Sequence, residues 1–257
     1  MATIQRLDTV VGAYTAGEFS DAWKYREMRL ATGEQRILDL FLPDQTGAIL
    51  TVGCGNGRET FALHDNGYRN VRGVDCTEAL IEHARERSAQ AGLRIPFDVA
   101  SAKTLPYADE VFHGVTLFSN IYGHITPRAE RLRSLREIYR VLKPGGHVLV
   151  NVNSMYHSFL AYVYIRVCDI LRLISNRRSM EPGDKMTKER LFISHWFTPD
   201  EMRAEAREAG FETRLVTTFK NIPHDSGRSP IKYYRKGVLL CVFRKPVRTG
   251  DTLARAA

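Results

Sequence analysis

Three glycines at alternate positions, Gly53, Gly55 and Gly57, follow directly on the apolar run Ala48-Ile49-Leu50-Thr51-Val52. Such a turn takes backbone angles closed to other residues and lets the main chain come close to a ligand. A strand, a glycine turn and a helix N-terminus together make a nucleotide-sized seat at the edge of a parallel sheet. The dinucleotide fingerprint wants glycine or alanine at position 58, where Arg58 stands, so the spacing points away from NAD. Asp75 lies eighteen positions after Gly57 and closes the next apolar run, which suits its carboxylate to accept both hydroxyls of a ribose. Its other reading, as N-cap of the following helix, is answered by Thr77. An oxygen nucleophile in such a site needs a base, usually a histidine or a carboxylate near neutral pKa. His124 and Tyr122, in the segment Phe118-Ser119-Asn120-Ile121-Tyr122-Gly123-His124, are the nearest candidates, and His157 and His195 flank a long insertion. Each of these histidines has a structural or surface role as its alternative. His64, His83 and His147 fall on scaffold elements and are set aside. No pair of carboxylates or histidines sits at ligand spacing in the site, so no metal is expected.

The elements that must carry these residues alternate. A polar N-terminal region, residues 1 to 46, has an apolar stripe at Phe19, Trp23, Met28, Leu30, Ile37, Leu38 and Phe41, and Pro43 to Gly47 breaks it. After the glycines come a helix over Glu59 to Asn66 and a strand over Val71 to Val74 that ends on Asp75. A helix from Glu78 to Gln90 is stopped by Gly92, and strands follow at Ile95 to Val99 and Val111 to Phe118. A helix over Arg128 to Leu142 and the turn Lys143-Pro144-Gly145-Gly146 lead into a fifth strand, His147 to Val152. A late helix opens on Thr198 with Pro199 at its first position and runs to Ala209; strands over Glu212 to Phe219 and Gly237 to Arg244 close the domain. Strands and helices in regular alternation with short connections imply a parallel sheet covered on both faces.

Five stretches, in this order and at these intervals, resemble the Rossmann-like S-adenosylmethionine (SAM) methyltransferases of small-molecule type. They are the glycine loop, Asp75, Ser101-Ala102-Lys103-Thr104-Leu105-Pro106, Arg140-Val141-Leu142-Lys143-Pro144-Gly145-Gly146, and Trp196-Phe197-Thr198-Pro199-Asp200-Glu201-Met202 with Glu208-Ala209-Gly210-Phe211. The resemblance covers about residues 48 to 152 and 196 to 245. It implies an α/β fold: a mostly parallel seven-stranded sheet with helices on both faces, an antiparallel last strand, an N-terminal helical cap and a helical lid insertion. The divisions expected are a cap over 1–46, a core over 47–152 and 196–246, a lid over 153–195 and a disordered tail over 247–257. The resemblance also implies SAM as cofactor, seated by Gly53, Cys54, Gly55, Gly57, Asp75, Cys76, Ser101, Ala102 and Phe118. Three positions depart from the family pattern. Thr51 stands where an acidic residue usually precedes the glycines, Ser101 replaces an aspartate at the adenine, and His113 replaces the aspartate entering the fourth strand. Loss of one charge-assisted bond at Thr51 or Ser101 costs about 1–2 kcal/mol of cofactor binding, which loosens affinity without abolishing it.

The 257 residues suffice for one well-buried domain with a sizeable insertion. Cys54, Cys76, Cys168 and Cys241 lie far apart with no C-x-x-C pair, which excludes a zinc knuckle or a disulfide framework and fits a cytoplasmic location. No basic-then-apolar leader opens the sequence. Its most apolar stretch, Phe159 to Ile174, is broken by Arg166, Asp169 and Arg172, so no membrane span is expected. The insertion is rich in tyrosine and then basic, which reads as a lid over the acceptor pocket, with a dimer contact as the alternative. Its charge hints at an acidic acceptor. The function expected is methyl transfer to an oxygen or nitrogen of a small molecule, by a monomer or homodimer. The formal charge of +8 would also suit nucleic acid, and Ser194-His195-Trp196-Phe197 faintly resembles wobble-uridine tRNA methyltransferases, so RNA is the alternative acceptor. A non-catalytic SAM-binding protein is the third reading.

Overall fold

The computed structural model describes residues 29–157, 180–186, 193–218 and 237–247, with positions 163, 166, 167 and 170 between them. The expected N-terminal stripe at Phe19, Trp23 and Met28, most of the segment from Phe159 to Arg190 and the tail beyond Val247 lie outside the described residues.

Nine strands and six numbered α-helices are described, in the order α1 (Thr32–Phe41), β1 (Ile49–Val52), α2 (Arg58–Asp65), β2 (Val71–Asp75), α3 (Glu78–Gln90), β3 (Phe97–Val99), β4 (Phe112–Leu117), a single-turn α4 (Ile121–His124), α5 (Arg128–Val141), β5 (Leu142–Asn153), β6 (Asp184–Met186), β7 (Ile193–His195), α6 (Pro199–Glu208), β8 (Glu212–Thr218) and β9 (Val238–Arg244). The main sheet has seven strands in the order β3-β2-β1-β4-β5-β9-β8. β1 pairs in parallel with β2 and β4, and β5 in parallel with β4, while β9 runs antiparallel to both β5 and β8. This is the doubly covered parallel sheet that the alternation implied, with the antiparallel last strand that the family resemblance implied.

Period-two alternation sorts the core into two layers. Along β9, Leu239, Cys241 and Phe243 join the cluster under α5 and α6, with Leu135, Ile138, Met202 and Ala206. Leu240 and Val242 point the other way, into the cluster under α1, α2 and α3, with Ile37, Leu38, Leu63, Ile81 and Ala84. A one-residue slip of this strand would turn both sets to the wrong layer.

The turn expected at Lys143 to Gly146 is an excursion within β5. The strand begins at Leu142, which pairs with Phe112, but the next pair is Gly114 with His147, so Lys143 to Gly146 leave the ladder with β4, with Gly145 at φ +81°. Lys245 fixes this irregular start. Its backbone exchanges hydrogen bonds with Gly145 and Gly146, and its buried Nζ donates to the Tyr139 and Leu142 carbonyls at 3.0 and 2.8 Å. The insertion, expected to be helical, carries the two-stranded antiparallel sheet β6–β7 as well as helical positions at 163, 166, 167 and 170.

α6 begins with the N-cap its sequence implied, and the cap is reciprocal: Thr198 Oγ1 accepts the Glu201 N–H at 3.1 Å, with Pro199 at the first helical position. On its inner side Glu205 is fully buried against the equally buried Arg131 of α5, with Arg131 Nη2 and Nε donating at 3.0 and 3.2 Å. Tyr122 donates its hydroxyl to the same carboxylate. Removing one member of a buried pair leaves an uncompensated charge. Glu205→Ala is therefore expected to lose about 3–5 kcal/mol of stability in urea unfolding. Asp98→Ala, which breaks the part-exposed Arg72–Asp98 pair, is expected to lose no more than about 1 kcal/mol.

Candidate cofactor and active site

The sheet order places a crossing point between β1 and β4, where chain connections leave in opposite directions, and ligands of open parallel sheets bind beyond the carboxyl strand ends at such a point. A cleft of about 1090 Å³, partly open to solvent, lies there. Its floor is the glycine loop from Gly53 to Asn56. Its walls are Asp75 to Thr77 after β2, Ala100 to Lys103 after β3, and Ser119, Ile121, His124, Ile125 and Thr126 after β4, with Leu80 and Glu130 at the sides.

Gly55 has φ +53°, and a Cβ added there would meet nothing closer than Leu80 Cδ1 at 3.8 Å. The backbone thus presents open space to the cleft at the position where close approach is needed. Gly57 serves differently. It caps α2 in a left-handed conformation, and a Cβ there would press to 2.6 Å from the Phe61 ring. Of the residues expected around the cofactor, Gly53, Cys54, Gly55, Asp75, Cys76, Ser101 and Ala102 line the cleft. Gly57 and Phe118 do not: Gly57 holds the helix onto the sheet, and Phe118 is buried in the layer under α1 to α3.

Asp75 is buried, and burial raises its pKa against the opposing pull of backbone N–H donors from Thr77 and Gly55. The two amides donate to different oxygens, Gly55 to Oδ2 at 2.9 Å and Thr77 to Oδ1 at 2.8 Å. The expected division of labour with Thr77 is thereby corrected: the Thr77 side chain makes no capping bond, and Asp75 accepts the amide instead. Each carboxylate oxygen keeps a further lone pair, so both can still accept from a ribose.

The departures from the family pattern have local causes. Thr51 is buried, with its hydroxyl bonded to Thr60 of α2 and to the Arg72 carbonyl, so it ties β1 to its neighbours rather than facing the cleft. His113 Nδ1 accepts the Ala48 N–H at 3.1 Å, the service an aspartate oxygen could give, and burial together with Lys143 lowers its pKa. Ser101 lines the cleft within a tight turn closed by its bridge to Thr104.

The four proposed catalytic side chains separate. His124 lines the cleft; protein packed behind it pushes its pKa down to about 4, so the ring is neutral at physiological pH. Tyr122 turns away: it is fully buried, stacked on Phe197, and its hydroxyl is committed to Glu205. His195 is buried behind the cleft with Nδ1 2.7 Å from Asp184 and Nε2 2.8 Å from Glu201. Burial works to lower its pKa, but the two carboxylate bonds outweigh it and raise the value. Its two ring nitrogens tie the insertion to α6. His157 ends a short 3-10 turn, Met155–His157, and its side chain lies outside the described residues. No described residue of the insertion lines the cleft, though Ser194 Oγ accepts from Asn120 Nδ2 at 3.0 Å.

Sequence reasoning missed the roles of Arg58 and Glu59 and the strained pair Ser119–Asn120. Ser119 and Asn120 both have positive φ, +59° and +61°, a costly conformation for non-glycine residues. Asn120 is held there on three sides. Its N–H donates to Asn151 Oδ1 at 2.9 Å, its Oδ1 accepts the Asn153 N–H at 2.8 Å, and its amide reaches Ser194. Glu181, Asp184 and His195 lie close enough together to hold an ion, yet Arg131 and the N–H groups of Arg128 and Glu181 already satisfy the carboxylates. The cluster reads as an ion-pair network.

Residues 49–146 match the model of a methyltransferase domain. Methyltransferase GfsG of Streptomyces halstedii is 32% identical over 138 residues, which are 53% of this chain and 48% of that protein, so the chain spans about half the length of this relative. Among solved structures, a SAM-dependent methyltransferase from Methanosarcina mazei superposes with a TM-score of 0.67 at 22% identity, covering 86% of this chain and 100% of its own. The Burkholderia thailandensis 1,6-didemethyltoxoflavin-N1-methyltransferase, solved with 1,6-didemethyltoxoflavin and S-adenosylhomocysteine, superposes with a TM-score of 0.63 at 18% identity, covering 95% of this chain and 88% of its own. At these identities the solved structures speak for the fold. With the domain match over the glycine loop and Asp75, and with the seven-stranded sheet complete around them, residues 49–146 resemble a methyltransferase domain, and the fold is the one seen in solved SAM-dependent methyltransferases.

Proposed function

We propose that the chain methylates an oxygen or nitrogen atom of a small-molecule acceptor, with SAM as donor. The observation that carries the reading is the composition of one cleft: a nucleoside wall of Asp75, Cys76, Ser101 and Ala102 faces a neutral imidazole, His124, flanked by Ile121 and Ile125. The residues present fit the cofactor. Asp75 offers two acceptor oxygens at the strand end, and the Gly55 backbone leaves the space into which a ligand can press.

When bound, SAM would supply an electrophilic methyl group, attacked in line by the nucleophile as the carbon–sulfur bond breaks and S-adenosylhomocysteine leaves. The chain's own work is to align the nucleophile in a dry pocket and take its proton. Ile121, Ile125 and Leu80 exclude water from the apolar wall. The His124 imidazole, uncharged above about pH 4, can accept a hydrogen bond from the acceptor's O–H or N–H and then its proton as the new bond forms. A base of such low pKa works best on an acceptor that is itself acidic, such as a phenol, an enol or an aromatic N–H. The insertion, joined to the cleft through Ser194 and Asn120, acts as a lid, and its basic composition favours an anionic acceptor.

Calorimetry with SAM tests the cofactor half. Wild type is expected to bind, and Asp75→Ala to bind about 100-fold more weakly, since it removes a buried carboxylate that accepts two ribose hydroxyls. No heat with wild type defeats the reading. Labelled-SAM assays on acceptor panels test the other half. His124→Gln is expected to lower kcat by about 10²–10⁴-fold while leaving SAM affinity near wild type. The sign of the pH dependence follows from the lowered pKa: the reactive neutral form persists down to about pH 4, so kcat/KM should show no histidine step near 6.5 and should fall only as pH approaches 4. A clear loss centred near pH 6.5 assigns the base elsewhere. An acceptor interaction that weakens steeply with salt would favour RNA instead.

A further inference from the structure

We infer that Glu59 binds the α-ammonium group of the cofactor's amino-acid end. This rests on the SAM-binding reading above and adds to it a residue that neither the glycine motif nor the nucleoside wall includes.

Strand order sets the direction in which the ligand lies. β1, carrying the glycine loop, runs between β2 and β4. Asp75 and Cys76 follow β2, and Ser101 and Ala102 follow β3, so the nucleoside occupies the β2–β3 side of the loop. The remaining part of the molecule must then extend past Gly53 toward the end of β4, where Ser119 and Ile121 line the cleft. An amino-acid group brings a primary ammonium there, and a desolvated cation requires an anionic or strongly polar acceptor.

Three carboxylates line the cleft: Asp75, Glu59 and Glu130. Asp75 stands on the nucleoside side. Glu130, at the start of α5, is paired at 2.9 Å with Lys103, which follows Ser101 and Ala102 on the nucleoside side. Glu59 remains. It sits in the first turn of α2, buried, immediately beyond the glycine loop. Its Oε1 accepts from Arg58 Nη2 at 2.6 Å and from Ser119 Oγ at 3.0 Å. Its Oε2 has no hydrogen-bond partner among the described residues, although the side chain is held in place through Oε1. Thr51 is no competitor, because its hydroxyl is bonded to Thr60 and the Arg72 carbonyl. The geometry is that of a carboxylate fixed by one oxygen, with the other left for a cation in the cleft.

The test compares three ligands by calorimetry: S-adenosylhomocysteine, its analogue lacking only the amino group, and 5′-methylthioadenosine, which lacks the whole amino-acid end. Wild type should bind S-adenosylhomocysteine about 10- to 100-fold more tightly than the des-amino analogue, the range of one charge-assisted hydrogen bond. Glu59→Gln should weaken S-adenosylhomocysteine by a similar factor, leave methylthioadenosine within about twofold, and remove the preference for the amino group. Equal weakening of all three ligands, or of none, overturns the proposal. Arg58 loses a partner in this variant, so it may be replaced by the wild-type comparison alone if it does not fold: equal affinity of wild type for S-adenosylhomocysteine and the des-amino analogue is then the overturning result. A wild type that binds none of the three defeats the cofactor reading itself, whereas binding of all three without dependence on Glu59 defeats only this inference.

Discussion

A guanidinium buried directly behind the glycine loop constrains everything around it. Arg58 is the first residue of α2, and Glu34 of α1, Glu59, the Ser119 hydroxyl and the Arg29 carbonyl all accept from it. Such a group is tolerated in a protein interior only when charged or polar partners take most of its hydrogen bonds; here both terminal nitrogens donate, and among the described residues only Nε has no partner. Burial works against its charge, and the two carboxylates outweigh burial and raise its pKa. Each partner comes from a different element, so satisfying one side chain fixes α1 against the sheet, the first turn of α2, and the exit of β4. Glu34 extends the constraint to β5 by accepting from Asn151 Nδ2 at 2.6 Å. Asn151 in turn accepts the Asn120 N–H and so holds the strained pair, of which Ser119 lines the cleft.

A second buried network stands on the far layer. Arg131, Glu205 and Tyr122 join α5, α6 and α4, and His195 with Asp184 and Glu201 adds β6 and β7. Phe197 packs among these groups, stacked on Tyr122 and beneath the Arg131 guanidinium. Through Ser194 and Asn120 this network meets the first one. The insertion is thus joined to the scaffold at Asn120, between Ser119 and Ile121, which line the cleft.

What could be read from the sequence divides along the same line. Sheet layout, helix bounds and the nucleoside wall were legible because they depend on short-range rules: period-two alternation in β9, the cap at Thr198, the spacing from Gly57 to Asp75. The α3 bounds and the end of β2 on Asp75 agree with the expected positions. Roles decided by partners far along the chain were not legible. Tyr122 follows β4 just as a catalytic residue might, yet its direction depends on Glu205, 83 residues away. His195 looks like any insertion-flanking base until Asp184 and Glu201 enclose it. Arg58 was informative in sequence only as a residue that is not glycine; that it is the centre of a buried network depends on Glu34, 24 positions earlier. The irregular start of β5 similarly depends on Lys245, about a hundred residues further on.

The same distinction bears on the three departures from the family pattern. Thr51 replaces an acid but hydrogen-bonds within the scaffold, and His113 replaces an acid while keeping its acceptor function toward Ala48. Neither change removes a group from the cleft wall. Asp75, which does line it, is held by two amides that favour its charged form against the burial that disfavours it. Ribose hydroxyls donating to the same oxygens would add to the amides' side, so cofactor binding and ionisation of Asp75 reinforce one another. Recognition of the ligand by this chain therefore depends less on the residues at positions 51 and 113 than on whether each acceptor that faces the ligand is oriented before the ligand arrives. In this chain the backbone of the loop orients Asp75, and the Arg58 network orients Glu59.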